Sequence, residues 1–185
     1  MSERPKVAVI VGSLRKDSAN RRLAQAIALM AAPRLDLQIV GIEAVPLYNQ
    51  DLEADFPQGV ADFKAAVAGA DAVLFVTPEY NRGVPGVLKN AIDWGTRPAG
   101  QSVWRGKPAA VVGASPGPLG TAAAQVELRN VLLSIDMAVM GAPQLYFIHR
   151  DEHFSPEGEV ADPKFRQIIG AWVEKFAAWI ARINA

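Results

Sequence analysis

Apolar and polar positions follow two different periods along this chain. Short runs such as Val7-Ala-Val-Ile-Val are apolar throughout, as a parallel strand is when helices cover both of its faces. Between such runs apolar residues recur at helical spacing, as at Leu23, Ile27 and Met30. The pattern predicts strands over residues 7–11, 37–42, 72–76 and 109–112, with a fifth inside 138–147. Helices are predicted over 20–31, 60–68, 86–94, 121–135 and 163–183. Strands separated by helices imply right-handed βαβ units, hence an α/β protein with a doubly wound five-stranded parallel sheet in three α/β/α layers. The 185 residues suit one domain, 1–185, without repeat or linker. Residues 150–162 read as a surface excursion before the last helix.

In sheets of this kind ligands bind outside the carboxyl ends of the strands. Three irregular segments fall there: 12–20, 77–85 and 114–120. The first joins a buried strand to a helix, where free backbone N–H groups and the positive end of the helix dipole converge. It adds the Ser13 and Ser18 hydroxyls, the Asn20 amide and the Arg15 guanidinium, all donors suited to a phosphate dianion. The same stretch also suits a plain helix cap at Asp17 or Ser18. Gly12 is its only glycine, so G-x-G-x-x-G is absent, and no G-K-[ST] follows. A terminal phosphate monoester is therefore expected rather than a triphosphate or a dinucleotide.

The second segment, Thr77-Pro-Glu-Tyr-Asn-Arg-Gly-Val-Pro-Gly, is dense in residues that break regular structure. It reads as a long structural turn or as a platform presenting backbone amides and the Tyr80 ring to a flat ligand. The third, Ala114-Ser-Pro-Gly-Pro-Leu-Gly-Thr, is small and rigid enough for close backbone approach. It equally suits a strand-to-helix connection with Thr121 as helix cap.

Composition narrows the chemistry. There is no cysteine, which excludes disulfides, thiolate metal sites, iron–sulfur clusters and thiol nucleophiles, so redox chemistry has to come from a bound cofactor. Lys plus Arg balances Asp plus Glu at 19 each, which speaks against nucleic acid, an anionic membrane or a strongly acidic electron shuttle as context. No signal-peptide pattern or membrane-length apolar run occurs, so a cytoplasmic protein is expected. The only histidines, His149 and His153, are four apart but lack a helical setting, and a metal site is not expected there. No serine elbow accompanies them. Trp172 and Trp179 share a helix face and read as packing. Trp94 and Trp104, with Tyr48, suit closing over a ligand or burying a subunit contact.

Three stretches together carry a likeness: Gly12-Ser-Leu-Arg-Lys-Asp-Ser-Ala-Asn, Thr77-Pro-Glu-Tyr-Asn with Val84-Pro-Gly-Val-Leu-Lys-Asn-Ala-Ile-Asp-Trp, and the loop at Ser115. They resemble the NADPH-dependent FMN reductase family, with its flavodoxin-like fold, and within it the bacterial quinone and chromate reductases. The resemblance covers nearly the whole chain. It implies bound FMN, NADPH or NADH as co-substrate, and a quinone as small-molecule acceptor, extending to chromate, azo or nitro compounds and free flavin. It implies that Ser13, Leu14, Arg15, Asp17, Ser18, Ala19 and Asn20 wrap the FMN phosphate. It places Pro78, Glu79, Tyr80 and Asn81 along the isoalloxazine, with Ser115 at the ring system. Arg82 departs from the family pattern, in which close relatives often carry a smaller residue, and Tyr80 and Arg82 stand where they would orient substrate. No catalytic side chain is named, because hydride arrival at the flavin requires none. A homodimer or homotetramer is implied, with the helix bearing Leu88, Ile92 and Trp94 as the expected contact. A flavodoxin-like electron carrier and a cofactor-free binding module are the rival readings.

Overall fold

The computed structural model describes residues 4–155 and 158–185. Strands β1 (Lys6–Val11), β2 (Asp36–Val40), β3 (Ala72–Val76) and β4 (Pro108–Ser115) are parallel, in the order β2-β1-β3-β4. Two short segments, β5 (Ala138–Val139) and β6 (Leu145–Ile148), share the fifth position, both parallel to β4. This is the doubly wound order of flavodoxin-like sheets. A single fifth strand was expected within 138–147, and the structure divides it. Ala109 pairs with Val139 but Val112 with Leu145, so the edge takes three residues more than β4 over that span. Pro143, which has no N–H to offer a ladder, lies in the bulging part.

Strand residues alternate between two cores. Val7, Val9 and Val11, with Leu74 and Val112, face α1 (Ala19–Ala31) and α5 (Pro163–Ile183). Ala8, Ile10, Val73 and Phe75 face α2 (Gln58–Ala68), α3 (Gly86–Gly95) and α4 (Ala122–Ser134). The Asp162 carboxylate caps α5 by accepting from the N–H groups of Lys164 and Phe165, and Pro163 opens the first turn. That helix then buries Ile169, Trp172, Val173, Phe176 and Ile180 along one stripe. Each large side chain so buried stabilises by about 1.5–3 kcal/mol. Trp179, on the same face, donates to the Ala138 carbonyl at 2.9 Å.

Neither Trp94 nor Trp104 is open to a ligand or a partner. Trp104 lies fully buried near Phe63 and Phe75 and donates to Ile92 O at 2.9 Å, against a bare Gly95 whose side chain it would overlap. Trp94 donates to Pro46 O at 2.8 Å and meets Tyr48 and Phe56 edge-on, at 5.0 and 5.5 Å. Both rings therefore bind parts of the chain to α3, and Trp94 clamps the 41–57 excursion. His149 faces Asp151 at 3.4 Å and stacks on Phe154, while His153 packs on the rings of Phe147 and Phe165. Among the described residues no helix is long and apolar enough to cross a membrane.

Candidate functional site

At the carboxyl edge of the sheet the chain leaves β1 toward one face, through α1, and leaves β3 toward the other, through α3. A crevice opens where the two connections part. Loops 12–18, 77–85 and 116–121 border it.

In the first loop Gly12 donates to Val76 O at 2.9 Å, and a side chain there would press on Leu88 and Pro78. Ser13 and Ser18 are buried, whereas Leu14, Arg15, Lys16 and Asp17 are exposed. The Ser13 Oγ accepts from Arg15 N and the Ser18 Oγ from Arg21 N, each at 3.4 Å, so Ser18 caps α1. The first-turn amides of α1 have no acceptor within the helix, and no acidic residue occupies that turn. Asn20 behaves differently from its expected part as a phosphate donor. Its Nδ2 donates to Ala114 O at 2.9 Å and its Oδ1 accepts from Ala114 N at 2.8 Å, bracing the first loop against the third.

The second loop starts with Thr77 N bonded to Val112 O at 2.9 Å and with Pro78 buried. Tyr80 and Gly83 exchange both backbone bonds, at 3.2 and 3.0 Å, around Asn81 (φ 51) and Arg82 (φ 69). Two left-handed residues in succession mark the primed kind of two-residue turn, which glycine and asparagine occupy readily and arginine does not. Glu79, in the stretch expected along a flavin ring, turns its carboxylate to α4. Its Oε2 accepts from Ala123 N and Ala124 N at 2.9 and 3.1 Å, and Oε1 lies 3.6 Å from Arg82 Nη1. Thr121, expected to cap α4, sits at φ 71 and makes no capping bond, so Glu79 does that work. A reciprocal carboxylate, Glu127 of α4, accepts from Val84 N at 2.9 Å just before α3 begins.

The third loop leaves β4 at Ser115, whose hydroxyl donates to Gly117 O at 3.2 Å. His149 N and the Arg150 guanidinium donate to Ser115 O and Pro116 O at 2.9 and 3.1 Å. Gly113 is bare because a side chain would overlap Thr77 O and the Thr121 hydroxyl. Behind it a buried amide, Gln125, donates to Thr121 Oγ1 and Leu145 O, both at 3.0 Å. Arg129 donates to Gln125 Oε1 and Val111 O at 3.3 Å, and burial pushes its guanidinium below the ordinary arginine range. Sequence reasoning overlooked Gly113, Gln125 and Glu127. Only Gly113 carried a signal, a lone glycine inside an apolar strand, which marks close approach of another backbone.

The donor set fits a phosphate monoester carrying a flat heterocycle. Hydroxyls, helix amides and an exposed guanidinium gather at one end, and a rigid turn with a half-exposed Tyr80 stands at the other. Residues 5–152 match the NADPH-dependent FMN reductase family. The chain is 46% identical over 175 residues to a 2-hydroxy-1,4-benzoquinone reductase of Burkholderia sp, covering 95% of this chain and 96% of that one. It is 48% identical over 181 residues to a quinone reductase of Pseudomonas putida, covering 97% of each. The solved structure of the flavoenzyme NAD(P)H:(acceptor) oxidoreductase FerB from Paracoccus denitrificans superposes with a TM-score of 0.94 at 46% identity, over 96% of this chain and 98% of that one.

Proposed function

The chain belongs to the NADPH-dependent FMN reductase family, and from that membership we propose an FMN-dependent oxidoreductase that takes hydride from NADPH or NADH and reduces quinones. The observation that carries this reading is the donor-rich loop at the start of α1, tied through Asn20 to the other wall of the crevice. Ser13, Ser18 and the amides from Leu14 to Ala19 donate to the phosphate, and Arg15 supplies a permanent positive charge beside it. Pro78, Glu79, Tyr80 and Asn81 border the ring with their backbone, together with Ser115, while the Glu79 carboxylate and the Asn20 amide hold their loops in place through α4 and Ala114. Bound FMN supplies the redox chemistry, hydride in from the nicotinamide and out to the acceptor. The chain's part is to position both planar partners in turn, with Tyr80 half exposed at the entrance. Chromate, azo or nitro compounds and free flavin are further acceptors open to the same site.

A homodimer or homotetramer goes with this reading. The helix bearing Leu88, Ile92 and Trp94 is the expected contact, and because those three side chains are buried within one chain, a partner there would meet the outer face of α3. Exposed apolar side chains lie on the neighbouring α4, at Val126 and Leu133, two helical turns apart, with Leu119 and Tyr146 also exposed. A second copy packed on that face would stand beside the second loop, and sedimentation at micromolar concentration tests it. A fully active 20 kDa monomer defeats it.

The activity itself is tested on purified protein. Flavin absorbance, tighter binding of FMN than of riboflavin, and NADPH or NADH oxidation that depends on a quinone are expected. Double-reciprocal plots at several quinone concentrations should be parallel, because one entrance serves two planar substrates in turn. Equal affinity for FMN and riboflavin removes the phosphate loop from the argument, and a flavin-bearing protein inert toward both nicotinamides leaves the electron-carrier reading.

A further inference from the structure

Arg82 stands in a position that its own backbone preference opposes. At φ 69 it occupies the left-handed region, uncommon for any residue other than glycine, asparagine or aspartate. The reciprocal bonds between Tyr80 and Gly83 hold it there, at the tip of the loop bordering the crevice. Its side chain is 69% exposed, whereas that of Glu79, its one ion-pair partner among the described residues, is 12% exposed. Glu79 Oε2 already accepts two α4 amides, and the 3.6 Å separation from Oε1 is too long for a hydrogen bond. The guanidinium is thus anchored at one edge by charge alone. Its N–H fork is left for a ligand beside the half-exposed Tyr80 ring.

A fork of parallel N–H donors matches two oxygens held side by side, as on a carboxylate or a phosphate. An unsubstituted 1,4-quinone lacks that pair, and a neutral ether of a hydroxyquinone has it without the charge. A hydroxyquinone has it: ionised, it carries a carbonyl oxygen beside an enolate oxygen on neighbouring ring carbons, with the negative charge shared between that enolate oxygen and the carbonyl conjugated with it through the ring double bond. Resting on the quinone-reductase reading above, we propose that Arg82 determines acceptor specificity by favouring planar anions of this kind, the ionised hydroxyquinones, over neutral quinones of the same size.

The test uses the FMN-loaded enzyme and two probes that differ by one methyl group. These are 2-hydroxy-1,4-benzoquinone, a vinylogous acid ionised at neutral pH, and its neutral ether 2-methoxy-1,4-benzoquinone. The ratio of kcat/KM for the anion to that for the ether should fall about tenfold in Arg82→Gly, the low end of what a charge-assisted pair contributes. Glycine suits the left-handed turn, so the variant keeps the loop. Arg82→Lys should retain most of the ratio. In the unmutated enzyme, raising ionic strength should lift KM for the anion more than for the ether, because an exposed pair is screened. An unchanged ratio in Arg82→Gly overturns the proposal. So does a ratio that moves only between NADPH and NADH, which would assign the guanidinium to the nicotinamide's extra phosphate. Failure to reduce either quinone with either nicotinamide overturns the quinone-reductase reading, and the proposal with it.

Discussion

The first and second loops face the same crevice but are built differently. Inside the first the bonds are local, Ser13 and Ser18 accepting from amides two and three residues on, and only its ends are tied to remote strands, Gly12 to Val76 and Asn20 to Ala114. The second is held from a distance. Glu79 reaches Ala123, 44 residues away, and Glu127 reaches back 43 residues to Val84. A phosphate needs only N–H groups at a helix start, which a short stretch of chain supplies by itself. A platform for a ring has to be placed relative to two strands at once, and that requires bonds between remote segments.

Cutting the brace between the first and third loops has the largest expected effect. Asn20→Leu leaves the N–H and C=O of Ala114 buried without partners, at about 1–3 kcal/mol each, so urea unfolding should show a loss of about 3 kcal/mol. A loss under about 1 kcal/mol would mean that the loops stand independently. Arg15→Ala comes next and acts on the phosphate side alone. The FMN dissociation constant should rise about ten- to hundredfold by calorimetry, with riboflavin affinity and apoprotein unfolding unmoved. A smaller effect sharpens the ring side: Glu127→Ala should shift the visible spectrum of bound flavin while FMN affinity changes less than about fivefold. Glu127→Gln, which keeps an acceptor oxygen, should restore the spectrum.

The smallest effect concerns the excursion clamped to α3. The Tyr48 hydroxyl donates to Glu53 at 2.7 Å, and that bond raises its ionisation above the ordinary 10.0. Because the folded-state value is raised, the stability contributed is full below the ordinary value and fades as pH climbs through the folded one. Ultraviolet titration of the three tyrosines should show one ionising late, and Tyr48→Phe should remove that step.

The hydrophobic period located the sheet and the helices well, α5 to the residue, because it reports which face of an element meets the core. It is silent about what covers a buried side chain. Trp94 and Trp104 therefore read as open to a ligand or a partner when the chain itself covers them. The polar residues of the site were legible as a set, since loops at strand ends gather there. Their division of labour was not. An amide or carboxylate that suits a ligand suits a backbone equally well, and only the packing of α4 against the second loop and of α1 against β4 turns Glu79 and Asn20 inward as braces. The break in the fifth strand was equally hidden, because Leu145 and Phe147 alternate like any strand residues.

That broken edge bears on how the protein behaves in a crowded solution. An uninterrupted outer strand offers a row of unpaired amides and carbonyls onto which a strand of another molecule can add, the first step toward open-ended aggregates. Here one outer row is cut into pieces of two and four residues with Pro143 in the gap. The opposite row, β2, is only five residues long and begins at Asp36. Neither margin is a long, flat template. Copies of this chain that meet are steered toward their helical faces, where contacts close on themselves and give assemblies of defined size.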